Sequence, residues 1–421
     1  MSEGPSADAR VAQVVVGLPV PRVFSYTVPL ELAARLVSGQ RVRVPFQGRP
    51  RAGVVVGFTG GEPAGLEAIE TLLDPVPALT ATLLELTRWA ADETASAWGE
   101  AVARALPPPA RAPAPAVLPA EAPVRAPGPL VVGYGGDRAR LVATAVQRAV
   151  DDGGGVLLLA PEIETARGWA GAIERLVGGC ALVTSEESPR RRWATWWAFR
   201  RGALRVAVGT RVAAFLPVQA LSATVVVDEH DPAHKALDAP RWHARELAIR
   251  RSRLEGGACL LTSGAPSLES WARIQSGEAT AEEAKAESWP VVRRVDLRTV
   301  ETGDCLAPPL REAVREALGA GHSILLVLNR LGYGRALGCP DCGSVRRCPR
   351  CRVALTYHLR ARVLACRLCG ERQPAGSQCG RCRGRRLQAI GWGTERLEAE
   401  AQAAFPGVRV ARYDGEVSPP R

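Results

Sequence analysis

Eight of the eleven cysteines in this 421-residue chain occur as four Cys-X-X-Cys pairs within one short segment. A Cys-X-X-Cys turn lets two thiolates bind one ion, and four thiolates complete a closed tetrahedral zinc site. Eight thiolates therefore predict two structural zinc ions, which would also stabilise a segment with few large apolar side chains. The alternatives are free buried thiols, a redox pair and an iron–sulfur cluster. The predicted ligands are Cys339, Cys342, Cys348, Cys351, Cys366, Cys369, Cys379 and Cys382.

Spacing alone leaves open which four cysteines share an ion. His358 is a further possible ligand, but with eight cysteines available we expect it to be a packing or surface residue. Cys180, Cys259 and Cys305 stand apart from the pairs. We interpret these three as core or incidental positions, because Cys180 and Cys259 lie in apolar, strand-like segments.

Positive charge is concentrated in the same segment. The chain has 54 basic and 43 acidic residues, a net charge of +11. Residues 339–386 contain twelve arginines and two acids, Asp341 and Glu371. A solvated basic surface is the alternative interpretation. This density inside one cysteine-rich module nevertheless favours nucleic acid as the partner, because neutralising phosphates requires local charge density.

A second candidate site lies where the apolar run VVV ends in Asp228 and Glu229. Nucleotide-driven motors use such carboxylates to hold Mg²⁺ and to orient a water molecule. They do so together with a Gly-rich loop that ends in Lys-Ser/Thr. The two lysines that we find, Lys235 and Lys285, follow no Gly-rich turn.

The loop is expected after the first strand of the sheet, at GYGGDRARLV. Gly133 and Gly136 are present there, but Asp137 and Arg138 replace the Lys-Ser/Thr. A carboxylate at this position repels a triphosphate, and arginine is a less compact cation than lysine. The sequence therefore predicts no Walker-type loop, and the carboxylates after VVV are interpreted as a strand-end pair that caps a helix or faces solvent.

Hydrophobic patterning predicts the elements that position these residues. The first hundred residues alternate in strand fashion, and a stretch rich in Pro and Ala then predicts a linker. From Leu130, short apolar strands alternate with helices, which predicts an α/β fold with a parallel sheet covered on both faces. A further strand, SILLVLN at 323–329, is predicted before the cysteine-rich segment.

Membrane association is not expected, because no run approaches 18 uninterrupted apolar residues. The N-terminus lacks the order of a signal peptide, which predicts a cytoplasmic, nucleoid-associated protein. In that compartment cysteines favour metal binding over disulfides.

The chain resembles the PriA family of replication-restart helicases. FSYTVP and RVRVPFQGR resemble the family's N-terminal DNA 3′-end-binding domain. LLLAPEI, VAVGTRVAAFLPV, VVVDEHD, PRWHARELA and SGAPSLES resemble motifs of its first helicase lobe. LNRLGYG, the four cysteine pairs and GWGTERLEAE resemble its zinc module and the start of its second lobe.

The resemblance implies a fold, domains and a zinc pairing. It implies an N-terminal β-rich DNA-binding domain, a RecA-like parallel-sheet lobe and an inserted two-zinc module. The outer two cysteine pairs would bind one zinc ion and the inner two pairs the other. The implied domains are 1–106 for end binding, 107–129 for the linker, 130–305 for lobe 1, 306–338 for the start of lobe 2, 339–386 for the zinc module and 387–421 for the rest of lobe 2.

The sequence departs from the family pattern at several motifs. The acidic motif is one glutamate short and reads Asp228-Glu229-His230, and the S-A-T motif is replaced by Ser263-Gly264-Ala265. The winged-helix domain is not found, and the second lobe ends early, without its later motifs. These departures together point to a degenerate nucleotide site made of Gly133, Gly136, Arg138, Asp228 and Glu229.

The resemblance also implies DNA-binding residues and partners. Phe24, Ser25, Tyr26 and Arg43 are expected to bind DNA, with Ser25 where the family usually has Asp. The implied partners are forked or branched DNA, primosome proteins, the replicative helicase loading machinery and single-stranded DNA-binding protein. We expect a restart protein without helicase activity. The alternatives are an active ATP-dependent 3′–5′ helicase that uses Arg138 in place of lysine, and a zinc-ribbon RNA- or transcription-associated factor.

Overall fold

The structure is a computed structural model in which the chain forms two compact units, Met1–Trp289 and Pro290–Arg421. The structure does not describe residues 108–114, 116 and 121–123 of the predicted linker, residues 329–333 of the LNRLGYG segment, or Lys285. The structure describes residues 10–60, 65–107, 115, 117–120, 124–284, 291–296, 305–328, 334, 336–359 and 361–413.

The first unit begins with a five-stranded antiparallel sheet in the order β2-β1-β4-β3-β5. Its strands are short and valine-rich, and they bury one face around Leu36 and Ile69. Strands β3 and β4 form a hairpin with a two-residue turn in which Gln47 and Gly48 both have positive φ, as a twisted hairpin requires. The elements are β1 (Val11–Val16), β2 (Phe24–Thr27), α1 (Leu30–Ala33), β3 (Arg41–Phe46), β4 (Arg49–Thr59) and β5 (Thr71–Leu72).

Two helices, α2 (Ala81–Glu93) and α3 (Trp98–Ala105), follow this sheet. The Thr80 hydroxyl begins α2 by accepting the Leu83 N–H at 3.1 Å. Helix α3 lies so close to β1 that a Cβ on Gly99 would stand 1.7 Å from the Val16 carbonyl oxygen. Only glycine allows this approach.

A seven-stranded sheet completes the first unit, in the order β12-β6-β11-β10-β7-β9-β8. Every neighbouring pair of its strands is parallel, as predicted from short, fully apolar strands. Helices α4 and α5 bury their apolar faces on one side of the sheet, and α6 and α7 bury theirs on the other. The elements are β6 (Pro127–Gly135), α4 (Arg138–Asp151), β7 (Gly155–Leu159), α5 (Ile163–Val177), β8 (Ala181–Val183), α6 (Pro189–Arg200), β9 (Val206–Gly209), β10 (Leu221–Val226), α7 (Ala244–Glu255), β11 (Gly257–Ser263), α8 (Leu268–Gln275) and β12 (Thr280–Ala284).

Helix α6 joins the two sheets of this unit into one core. Its Trp193 and Trp196 are buried, and the Trp196 indole N–H donates to the Ala78 carbonyl at 3.1 Å. Arg41 of the antiparallel sheet stacks 4.2 Å from the Trp193 ring centroid and bonds Asp74 at 2.5 Å. The N-terminal sheet is therefore held against the parallel sheet by buried aromatic and charged contacts.

The described residues of the second unit form two helices and the cysteine-rich module. Leu306 and the helices pack a small core with Val314, Ala401 and Phe405. None of the described helices of the chain is long and apolar enough to cross a membrane. The elements are α9 (Pro308–Gly319), β13 (Ala336–Gly338), β14 (Thr356–His358), β15 (Val363–Ala365), β16 (Arg372–Pro374), β17 (Gln388–Ile390) and α10 (Thr394–Ala404).

The prediction of a strand at SILLVLN is wrong for the residues of this segment that the structure describes. Residues 323–328 form no strand, and Leu325 and Val327 are largely exposed. A strand requires a neighbour to satisfy its backbone groups, and no described residue of this unit pairs with the segment. Its apolar composition alone was not enough to predict its structure.

Candidate metal, DNA and nucleotide sites

The outer cysteine pairs meet because two short strands pair beside them. Strand β13 precedes Cys339 and Cys342, and its antiparallel partner β17 follows Cys379 and Cys382. Sulfur atoms of Cys339 and Cys382 are 3.6 Å apart, as are those of Cys342 and Cys379. The four sulfurs all lie within 4.8 Å of one another.

The inner pairs form a second four-sulfur cluster on the three-stranded sheet β14-β15-β16. Cys366 and Cys369 lie in the turn between β15 and β16, and Cys348 lies 3.6 Å from Cys369. Sulfurs around one tetrahedral zinc ion, each at about 2.3 Å from it, are about 3.8 Å apart. Both clusters therefore fit one zinc ion each, in the outer-with-outer pairing that the resemblance implies.

All four Cys-X-X-Cys turns share one backbone geometry. The residue after each second cysteine has positive φ, and its N–H donates to the carbonyl of the first cysteine at 2.9–3.1 Å. Glycine, which tolerates this conformation, occupies two of these positions, and arginine the other two. The repeated turn was missed from the sequence, where only the glycines signalled it. The four residues are Gly343, Arg352, Gly370 and Arg383.

His358 is not a zinc ligand in either cluster. Its Nδ1 lies 3.3 Å from the Glu395 carboxylate, on the helix that follows the module. Glu395 also accepts the N–H of Leu359 at 3.1 Å. His358 therefore packs against α10, which confirms the packing role expected from the sequence. A closed set of four thiolates leaves no open position for water, so the two zinc ions are structural.

Phe24, Ser25 and Tyr26 line one cavity of about 380 Å³ in the N-terminal sheet. Phe46 closes it with an edge-to-face contact to Phe24, at 5.1 Å between ring centroids. The Tyr26 hydroxyl donates to the Pro45 carbonyl at 2.9 Å, which fixes the ring. Aromatic walls of this kind suit a stacked base.

One arginine predicted to bind DNA lies away from this cavity, and one that was not predicted lines it. Arg43 lies on the exposed side of β3 and is not among the lining residues that the structure describes, so the structure does not bring it to Phe24. Arg22, which was not predicted, does line the cavity. The Ser25 hydroxyl accepts a hydrogen bond from the Gln13 side-chain amide at 3.1 Å. An uncharged, hydrogen-bonded side chain therefore occupies the position where the family usually has a carboxylate.

The residues predicted for a degenerate nucleotide site lie where three neighbouring strands end. Strands β6, β11 and β10 are adjacent, so their carboxyl ends bring Gly136, Gly264 and Asp228 to one edge, while Gly133 lies within β6. Arg138 lies among them: its guanidinium donates to the Gly135 carbonyl at 2.5 Å and lies 3.7 Å from the Asp228 carboxylate. The structure thus brings together the residues predicted for this site.

Backbone groups of this loop are already hydrogen-bonded. The Gly136 N–H donates to the Ala284 carbonyl at 2.8 Å, because β12 pairs with β6 as far as Gly135. The Asp137 carboxylate accepts the Arg140 N–H at 3.2 Å and so caps helix α4. A helix N-terminus and free loop amides are what a phosphate group would otherwise use.

Glu229 is fully buried and has three protein partners. Its carboxylate accepts from Arg245 at 2.9 Å, and from the Ser267 N–H at 2.7 Å and hydroxyl at 2.8 Å. Burial opposes ionisation, but these hydrogen bonds outweigh it and hold the pKa of Glu229 below its usual value. Glu229 therefore links the end of β10 to α7 and α8. This position agrees with the prediction that the carboxylate caps a helix and not with the alternative that it faces solvent.

His230 and Ser263 contact each other beside this edge. The Ser263 hydroxyl lies 2.7 Å from Nδ1 of His230 and accepts the Ala265 N–H at 3.2 Å. Ser263, the serine that remains from the predicted motif, therefore already contacts the Ala265 N–H and His230.

Comparison with known families matches two parts of this architecture. Residues 13–107 match the model described as the PriA 3′DNA-binding domain, and residues 348–374 match the PriA DNA helicase Cys-rich region domain. The matched ranges contain the aromatic cavity and the inner zinc cluster. The chain belongs to the PriA family.

Individual PriA proteins are similar over different shares of their length. Replication restart protein PriA of Bacillus subtilis is 30% identical over 288 residues, covering 66% of this chain and 36% of that protein. The PriA of Treponema pallidum is 26% identical over 439 residues, covering 96% of this chain and 66% of that protein. A solved structure of RecG bound to a three-way DNA junction is 15% identical and covers 46% of this chain and 25% of that one, with a TM-score of 0.31.

Proposed function

We propose that this PriA-family chain binds forked DNA during replication restart and recruits primosome proteins, without ATP-driven unwinding. The main support for a loss of ATPase activity is that groups of the chain itself form hydrogen bonds at the predicted nucleotide site. The Gly136 N–H, the Arg140 N–H in the first turn of α4 and the Arg138 guanidinium each have a protein partner.

A bound nucleotide would have to displace these contacts. Its phosphates would approach the exposed Asp137 carboxylate, and repulsion between these like charges would weaken binding. Arg138 could offset it only by leaving Asp228 and Gly135.

Glu229 supports the same proposal. A residue that polarises water or holds Mg²⁺ must expose an oxygen to the nucleotide, and both oxygens of Glu229 are bonded to Arg245 or Ser267. Freeing this carboxylate would leave the Arg245 charge buried without one of its partners, which is costly.

DNA binding is supported by different parts of the chain. The matched 3′-end-binding domain contributes an aromatic cavity, and the zinc module contributes arginine-rich surface. Recruitment of primosome proteins, the replicative helicase loader and single-stranded DNA-binding protein is inferred from family membership. Such a protein would mark a stalled fork, and other proteins would supply the motor.

The test is nucleotide binding and ATP turnover with and without forked DNA. We expect no DNA-stimulated turnover, no calorimetric signal with Mg-ATP, and salt-sensitive binding of a fork. Arg138→Lys should remain inactive, because it leaves the Asp137 cap and the Gly136–Ala284 bond in place. Robust turnover by purified wild type would refute the loss of ATPase, and absence of fork binding would refute the DNA-binding role.

A further inference from the structure

A second concave site lies in the zinc module, at the junction of its two metal clusters. The cavity has a volume of about 380 Å³ and takes its walls from both clusters. We call it the inter-zinc pocket. Its lining residues are Ser344, Val345, Arg346, Arg347, Pro349, Gln373, Cys379, Gly380, Arg381 and Leu387.

The inter-zinc pocket carries positive charge, and no carboxylate is among its described lining residues. Three arginines, Arg346, Arg347 and Arg381, face no ion-pair partner in the part of the module that the structure describes. The nearby acid Asp341 is already paired with Arg386. The charge of the pocket is therefore available to an anion.

Arg346 is held in place as a binding residue would be. One of its Nη atoms donates to the Gln378 carbonyl at 2.7 Å, and the other would lie 3.1 Å from a Cβ at position 380, so Gly380 allows this packing. Its Nε is buried and has no hydrogen-bond partner among the described residues. A buried unsatisfied donor is unfavourable unless a ligand or water completes it.

The lining also decides which part of a nucleic acid would enter. The described lining residues include no aromatic ring, so a base would find no aromatic platform there. Guanidinium groups instead match the oxygens of a phosphate, to which they donate two parallel hydrogen bonds. The chemistry therefore selects the phosphodiester backbone.

We propose that the inter-zinc pocket binds one backbone phosphate of forked DNA through Arg346, Arg347 and Arg381. This inference rests on the proposed DNA-binding function and adds to it a position and a chemical group. Because backbone phosphates carry no sequence information, the contact would fix the module on DNA without reading bases.

A different role for these arginines makes an opposite prediction. Zinc with four thiolates carries net negative charge, and Cys379 of the outer cluster lines the pocket. If the arginines served only to neutralise that cluster, replacing them would release zinc and leave DNA affinity of the zinc-loaded fraction unchanged.

The experiment compares two double variants of the full chain. Arg347→Gln with Arg381→Gln removes two charges from the pocket. Arg367→Gln with Arg372→Gln removes two charges from exposed positions of the same module outside the pocket. The probes are two forks of unrelated sequence, titrated by fluorescence anisotropy between 50 and 200 mM salt, and zinc is measured in every sample.

The pocket variant should lose roughly tenfold in fork affinity, as expected for loss of a charge-assisted contact. The slope of log Kd against log salt concentration should decrease by about 1 for this variant, equally for both forks. Zinc content should match wild type, and the control pair should keep the wild-type slope.

Each other outcome overturns the inference in a recognisable way. Equal slopes for wild type and the pocket variant would exclude the phosphate contact while leaving fork binding intact. Loss of zinc with unchanged affinity would assign the arginines to the metal cluster. Wild type that fails to bind either fork would remove the proposed function together with this inference.

Discussion

Replacing Glu229 with alanine tests whether this carboxylate supports the fold or a chemical step. In an active nucleotide site the residue would be free to contact water and metal, and its removal would leave stability nearly unchanged. Here it is 0% exposed and bonded to Arg245 and to two groups of Ser267. We therefore expect Glu229→Ala to destabilise the first unit.

The magnitude follows from what the substitution leaves behind. Removing one partner of a buried ion pair costs about 3–5 kcal/mol, because the other charge stays buried. Arg245 keeps its 2.9 Å contact with Glu246, which places the expected loss near the lower end, about 3 kcal/mol. For a unit that spans Met1–Trp289 the melting temperature should fall by roughly 5 °C.

Urea unfolding followed by tryptophan fluorescence is a suitable assay. All tryptophans except Trp392 precede residue 290, so the signal reports on the first unit. Asp228→Asn is the matched control: it removes a neighbouring carboxylate that is 36% exposed and pairs with Arg138 at 3.7 Å. Such a pair contributes about 1 kcal/mol or less. A Glu229→Ala protein that unfolds like wild type would refute the structural role.

Two further predictions concern acid and metal. Because the folded-state pKa of Glu229 is lowered, its stabilisation is present above the unfolded-state value of about 4.3 and is lost as pH falls through the folded value. Wild type should therefore lose unfolding free energy below about pH 4 more steeply than Glu229→Ala, and parallel curves would contradict this. Cys348→Ser should release about one of two zinc ions by elemental analysis, whereas His358→Ala should retain both, since His358 contacts Glu395.

Local sequence was sufficient to predict the elements whose residue pattern does not depend on distant parts of the chain. Buried strands such as β7 contain only apolar residues and glycine, and this composition predicts a parallel sheet without reference to any partner. The Cys-X-X-Cys spacing likewise predicts two-thiolate turns. The segment SILLVLN shows the limit, because its apolar character predicts a strand and the described part of it has no strand to pair with.

Helix α6 shows a different limit. Its sequence contains Trp193, Trp196 and Trp197, but their role depends on Arg41 and Ala78, which are more than a hundred residues away in the chain. A contact of that separation leaves no local pattern. The attachment of the N-terminal sheet to the parallel sheet could therefore be seen only in the structure.

The sequence by itself determined the family resemblance, the eight thiolates, and the absence of a lysine from the expected loop. Only the tertiary structure decided which protein groups contact this loop and Glu229. Pairing of β12 with β6 brings the Ala284 carbonyl to the Gly136 N–H, and the packing of α7 and α8 brings Arg245 and Ser267 to Glu229. The physical reason is that hydrogen-bond satisfaction is a property of neighbours in space, and these neighbours are distant in the sequence.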